Sequence, residues 1–153
     1  MPRPSSAEYS IRATFRAPLP FVFAWCTDYS ASDPAIEKDD YRRRLLSRTP
    51  REVRYEDLTE GDEGWMWSRW TVALRPPDAW QGRAIGNYRN WVVDYRLRPL
   101  PDGRTELHLR GRRRPAVLGE SNPPRKRLEA ELSATWKRFA KALEADYRRS
   151  ERR

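Results

Sequence analysis

His108 is the only histidine in the chain of 153 residues, and Cys26 is the only cysteine. A metal site takes three or four ligands, so these two cannot form one unless carboxylates gather at matching spacing. No metal and no other cofactor is expected. His108 lies between Leu107 and Leu109 in an alternating run. A strand there turns it outward with Glu106 and Arg110, as a solvated side chain without a catalytic partner. The acidic pairs Asp39-Asp40 and Asp62-Glu63 fall in turns, and adjacent side chains point apart, which is poor geometry for two carboxylates sharing a proton. Cys26, beside Trp25 and Val22, reads as a small buried hydrophobe. The sequence contains no phosphate loop, nucleophile elbow or dinucleotide glycine pattern. No residue is assigned a catalytic role.

Charge suggests a different chemistry. Lys and Arg total 31 against 22 Asp and Glu, a net charge of +9, and only Lys38, Lys126, Lys137 and Lys141 are lysines. The runs Arg42-Arg43-Arg44, Arg112-Arg113-Arg114 and Arg125-Lys126-Arg127 could meet the phosphates of nucleic acid or of an anionic membrane. Successive residues of a strand alternate faces, however, so the triplets form no single groove. Nor are they interleaved with aromatics that would stack single-stranded bases. Nucleic acid is therefore a disfavoured partner. The longest apolar stretch, residues 19–26, is far short of the roughly 20 residues that span a bilayer. The first ten residues lack the apolar core of a secretion signal. With one cysteine, a reducing cytoplasmic location is expected.

The elements that must position any site are easier to read. Tyr9, Ile11, Ala13 and Phe15 alternate with polar residues, predicting a strand over residues 9–17 that Pro18 and Pro20 stop. Pro20 opens a short helix over residues 21–27, and Pro34 a second one over 34–38. Strands are predicted over 41–47, 52–58, 65–74, 80–87, 91–98 and 104–113, joined by short turns, of which Pro101-Asp102-Gly103 is the clearest. Connections this short require antiparallel neighbours. Asn122 as N-cap and Pro123 at the first helical position start a helix to about residue 149. Leu128, Leu132, Trp136, Phe139, Leu143 and Tyr147 form one stripe on it. Residues 6–150 make one domain, with 1–5 and 151–153 as disordered ends.

Strand, two short helices, six strands and one long amphipathic helix is an α+β order. A curled sheet of about seven strands has one apolar face, the helix has one apolar stripe, and each must cover the other. The order resembles the helix-grip fold of the START and birch-pollen-allergen-like (SRPBCC) superfamily, including its bacterial polyketide cyclase/dehydrase and lipid-transport-like branch. The opening carries the closest likeness: an alternating strand, Ala17-Pro18, then the aromatic helix Phe21-Val22-Phe23-Ala24-Trp25 closing on Thr27-Asp28. The resemblance covers nearly the whole chain. It implies a cavity between sheet and long helix for a hydrophobic or aromatic small molecule.

On that resemblance, Trp70, Tyr95, Trp136, Phe139, Leu132 and Tyr55 line the cavity; the alternative is ordinary core. Trp67 and Arg69 have two readings. One sends them inward to the ligand, and the other leaves them outside with Trp65 as a sticky patch for a partner or a homodimer. The expected function is binding, transport or sequestration of a small hydrophobic ligand rather than turnover. The alternatives are a polyketide cyclase/aromatase or dehydratase using the same cavity, and a basic protein that binds an acidic partner.

Overall fold

A computed structural model describes residues 6–61, 64–116 and 122–153. The order is β1 (Ala7–Phe15), α1 (Leu19–Cys26), α2 (Asp33–Glu37), β2 (Arg42–Arg48), β3 (Glu52–Gly61), β4 (Gly64–Arg75), β5 (Ala79–Gly86), β6 (Arg89–Pro99), β7 (Thr105–Pro115) and α3 (Arg125–Glu151). The strands form one antiparallel sheet in the order β1-β7-β6-β5-β4-β3-β2. The chain thus meanders from β2 to β7 and closes by laying β1 beside β7. Asp62-Glu63 and residues 1–5 lie outside the described residues.

Pro18 sits at the N-cap of α1 with Pro20 inside its first turn, where a missing N–H breaks no helical bond. Thr27 ends α1 by donating its hydroxyl to the Phe23 carbonyl at 2.7 Å. Arg48 then reaches from β2 to the carbonyls of Thr27 and Asp28, at 2.9 and 2.6 Å, and satisfies the open end of the helix. The start of α3 differs from expectation. Pro124, rather than Asn122, occupies the N-cap, and the helix begins at Arg125. The Asn122 side chain is engaged with β7 instead, as described below.

Alternation fixes which side chains enter the concave face. Register places Tyr55, Trp70, Ala84, Trp91 and Arg113 in one row across β3, β4, β5, β6 and β7. The next row is Val53, Val72, Gly82, Val93, Gly111 and Tyr9. One end of the hollow is solid. There Phe15, Val22, Leu97, Leu107 and Leu143 are fully buried together, each contributing about 1.5–3 kcal/mol of apolar burial. A second cluster joins Ile11, Val93, Leu109 and Leu128. Trp70, Tyr95 and Trp136 pack against both clusters while remaining partly exposed. The α3 stripe shows the same gap: Leu128, Phe139 and Leu143 are buried, whereas Leu132 and Trp136 are only half-buried. The helix closes the ends of the hollow more tightly than its middle.

Candidate functional site

The space left between sheet and α3 is a cavity of about 500 Å³, within the range of small-molecule sites. Its walls are stacked rings. Tyr55 stacks on Tyr29 at 4.7 Å and on Trp70 at 6.0 Å, and Trp80 on Tyr95 at 4.7 Å. Tyr95 and Phe139 lie 6.1 and 5.1 Å from Trp136 on the helix side. Glycine makes this arrangement possible. A Cβ on Gly82 would stand 3.1 Å from the Trp70 ring, and one on Gly111 would stand 2.3 Å from the Tyr9 ring. Both rings lie down on the sheet because those positions carry no side chain. Burial raises the phenols of Tyr29, Tyr55 and Tyr95 above their ordinary range, so they are neutral donors rather than phenolates. The Trp80 indole Nε1 is buried with no hydrogen bond of ordinary geometry, and Tyr29 is its polar neighbour.

Of the expected lining residues, Trp70, Tyr95, Trp136, Phe139, Leu132 and Tyr55 all border this cavity. Trp67 borders it as well, although it has outward parity in β4 and is 41% exposed. Arg69 does not border it. It faces outward, pairs in register with Glu56 and Ile85, and makes an exposed ion pair with Glu56 at 3.6 Å. This corrects the inward reading of Arg69, and the reason is parity: Met66, Ser68, Trp70, Val72 and Leu74 take the inner positions of β4. His108 is on the outer face, as expected, and shares a hydrogen bond with the Ser10 hydroxyl at 2.8 Å. Cys26 borders the cavity, and burial pushes its thiol well up.

Two arginines from the triplets, which the alternation of faces left unassigned to any one side, are inward. Each is the middle residue of its run, flanked by exposed neighbours: Arg43 between Arg42 and Arg44, Arg113 between Arg112 and Arg114. The side chain of Arg43 is 8% exposed. It donates from Nε and Nη2 to the Asp57 carboxylate at 2.8 and 2.9 Å, and from Nη1 to Asp33 at 2.5 Å. Its guanidinium lies 4.3 Å from the centre of the Tyr55 ring and 5.3 Å from that of Tyr41. Burial works against its charge, but the bonds to Asp57 prevail and hold its pKa above the ordinary arginine range. Beside it, burial pushes Asp33 up to about 6 and Glu37 up to about 7, against the opposing pull of Arg43 and, at Glu37, of Tyr41.

Across the sheet, with β3 to β6 between, Arg113 lies over the Trp91 ring at 5.1 Å. Its Nε donates to Asn122 Oδ1 at 2.8 Å, and Asn122 Nδ2 donates to the Arg113 carbonyl at 3.0 Å. The cavity therefore has aromatic walls, a carboxylate-rich group on its α2–β2 side and an arginine on its β7 side. The strand parity shared by Tyr41 and Arg43, by Tyr55 and Asp57, and by Leu109, Gly111 and Arg113 was the available signal for these residues.

No protein-family model matches the chain, and no curated protein matches it. Solved structures do. Zhui aromatase/cyclase from Streptomyces sp. R1128 superimposes with a TM-score of 0.71 at 15% identity, over 95% of each chain. Ara h 8.0201 gives 0.66 at 8% identity, over 92% of this chain and 99% of that one. A START superfamily protein from Mycobacterium smegmatis gives 0.64 at 15% identity, over 93% and 97%. At these identities the likeness is one of fold. The chain has an α+β helix-grip fold, the form also seen in that aromatase/cyclase, in Ara h 8.0201 and in the START superfamily protein.

Proposed function

We propose that the protein binds a small aromatic or polycyclic molecule in the cavity between the sheet and α3. The observation that carries this reading is the ring lining itself: stacked and tilted aromatic walls around about 500 Å³ of space. Apolar burial at about 25 cal/mol per Å² supplies the affinity, and the neutral phenols of Tyr29, Tyr55 and Tyr95 supply orientation. The fold shared with an aromatase/cyclase and a START superfamily protein supports it as analogy only. Among the described residues no helix is long and apolar enough to cross a membrane. The test is quenching of tryptophan fluorescence by naphthol or anthraquinone, repeated in Leu132→Trp, which fills the middle of the hollow. Saturable quenching that the filled variant abolishes supports the reading; no saturable binding of any polycycle removes it.

A second reading is favoured by Glu37. A carboxyl held near 7 carries its proton in part of the molecules at neutral pH and can either give or take one. That suits a cyclase or dehydratase, in which a proton leaves the carbon beside a ketone, another is added to a departing hydroxyl, and water is lost. A hydroxytetralone tests it directly, since loss of water and tautomerisation give naphthol. Naphthol formation that Glu37→Gln abolishes supports an enzyme, and a rate equal to that in buffer leaves the protein as a binder.

A further inference from the structure

The two inward arginines of the cavity are served unequally. Arg43 is held by two carboxylates, Asp33 and Asp57. Arg113 is only 6% exposed, yet among the described residues no carboxylate lies within ion-pair distance of it. The one hydrogen bond of its guanidinium there is the bond from Nε to Asn122. Glu131, the acidic group whose charge it feels, is already paired with Arg127 at 3.3 Å. Arg89, on the same side of the cavity, adds a second positive charge, and burial together with Arg89 lowers Arg113 from its ordinary value. An arginine nonetheless keeps its proton in a protein, and a charge withdrawn from water without a counter-charge is costly.

We propose that Arg113 binds an anionic group of the ligand, so that the guest is an aromatic body carrying a carboxylate or a group of like charge. The inference rests on the aromatic-ligand reading above. Asn122 holds the guanidinium through Nε, and among the described residues neither Nη group has a hydrogen-bond partner, so both can offer the paired donors that an oxyanion accepts. The Tyr9 hydroxyl, kept neutral by burial, is a further donor nearby. On the opposite side, Asp33, Asp57 and Glu37 outnumber Arg43 and repel an anion. The charge difference across the cavity therefore fixes which end of an asymmetric guest meets β7.

The test compares two fluorescent probes with the same rings: anilinonaphthalene sulfonate, which is anionic, and N-phenylnaphthylamine, which is neutral. Each is titrated against the wild type, Arg113→Gln and the outward control Arg112→Gln, with folding checked by circular dichroism. In Arg113→Gln the sulfonate is expected to lose roughly tenfold or more in affinity, while the amine changes less than twofold. Arg112→Gln should leave both unchanged. If the glutamine variant does not fold, Arg113→Lys decides: it keeps the charge but loses the fork, and should weaken the sulfonate several-fold without touching the amine. Equal losses for both probes, or none for the sulfonate, would overturn the role of Arg113. Failure of both probes to bind the wild type would instead remove the cavity reading beneath it.

Discussion

Arg43 and Asp57 stand opposite each other in the β2–β3 ladder and join through two parallel hydrogen bonds, at 2.8 and 2.9 Å, on the inner face of the sheet. Both side chains are largely withdrawn from water, at 8% and 16% exposure. Removing one partner leaves the other charge buried, which is the costly way to break such a pair. Asp57→Ala is expected to destabilise the fold by about 3 kcal/mol in urea denaturation, with Asp33 limiting the loss. The exposed pair of Arg54 and Glu52, also at 2.8 Å, provides the contrast. Glu52→Ala should cost less than about 1 kcal/mol. Equal costs would show that burial does not distinguish the two pairs.

Glu37 and Asp33 make stability depend on pH. Burial raises their folded-state values to about 7 and about 6, above those of an unfolded carboxylate. The folded protein therefore binds more protons than the unfolded chain between roughly pH 4 and 7, and stability must fall as pH rises through that window. The contribution is fully present below the unfolded values and lost above the folded ones. Solvent screening reduces it to an expected 1–2 kcal/mol or so. Glu37→Gln, which stays neutral, should flatten the upper part of the slope in melts recorded from pH 4.5 to 7.5. An unchanged slope would mean that Glu37 titrates as an exposed residue does.

The fold was legible because its elements carry strong periods. The alternation in β1, the stripe on α3 and the proline stops survive in the structure with ends shifted by a few residues. Trp70, Tyr95 and Trp136 were legible for the same reason, since each lies on the apolar parity of its element. Arg43 and Arg113 were harder. A charged triplet in a strand alternates faces without showing which member turns inward, and the carboxylates that make Arg43 tolerable come from α2 and β3, which sequence spacing does not bring together. Arg69 misled in the opposite sense. Trp65 and Trp67 make the outer parity of early β4 apolar, and only the pairing of Arg69 with Glu56 and Ile85 shows which side is out. Register, more than composition, separated these cases.

Gly111 and Gly82 should respond differently to the same change. A methyl on Gly111 would meet Tyr9 ring atoms at 2.3 to 2.6 Å, which the ring can relieve only by leaving the sheet surface. Gly111→Ala is expected to cost about 1–3 kcal/mol through overpacking. A methyl on Gly82 would meet the Trp70 ring at 3.1 and 3.2 Å, a contact that a few tenths of an ångström relieve. There the gain of about 0.5–1 kcal/mol from removing a strand glycine offsets the crowding. Gly82→Ala should be close to neutral in stability while shifting the tryptophan emission. A Gly82 variant less stable than the Gly111 variant would reverse this ordering.

Edge protection gives the last expectation. β1 ends the sheet, and an edge strand leaves backbone donors open to pairing with another chain. Here α3 covers that edge with carboxylates: Ser10 N–H donates to Glu129 at 2.7 Å and Arg16 N–H to Glu144 at 2.9 Å. The spacing is matched. Six residues of strand and fifteen of helix both span roughly 20 Å, so one straight helix can serve both donors. Trp25 Nε1, bonded to Asp146 at 2.8 Å, ties α1 to the same helix. In Glu129→Ala with Glu144→Ala, the amides of Ser10 and Arg16 should exchange with solvent several-fold faster, while Leu107 and Leu109 on β7 keep their protection. Solubility should fall at the same time, because the freed edge can take a second strand. If exchange rises equally across β1 and β7, the carboxylates stabilise the whole docking of α3 rather than guarding the edge.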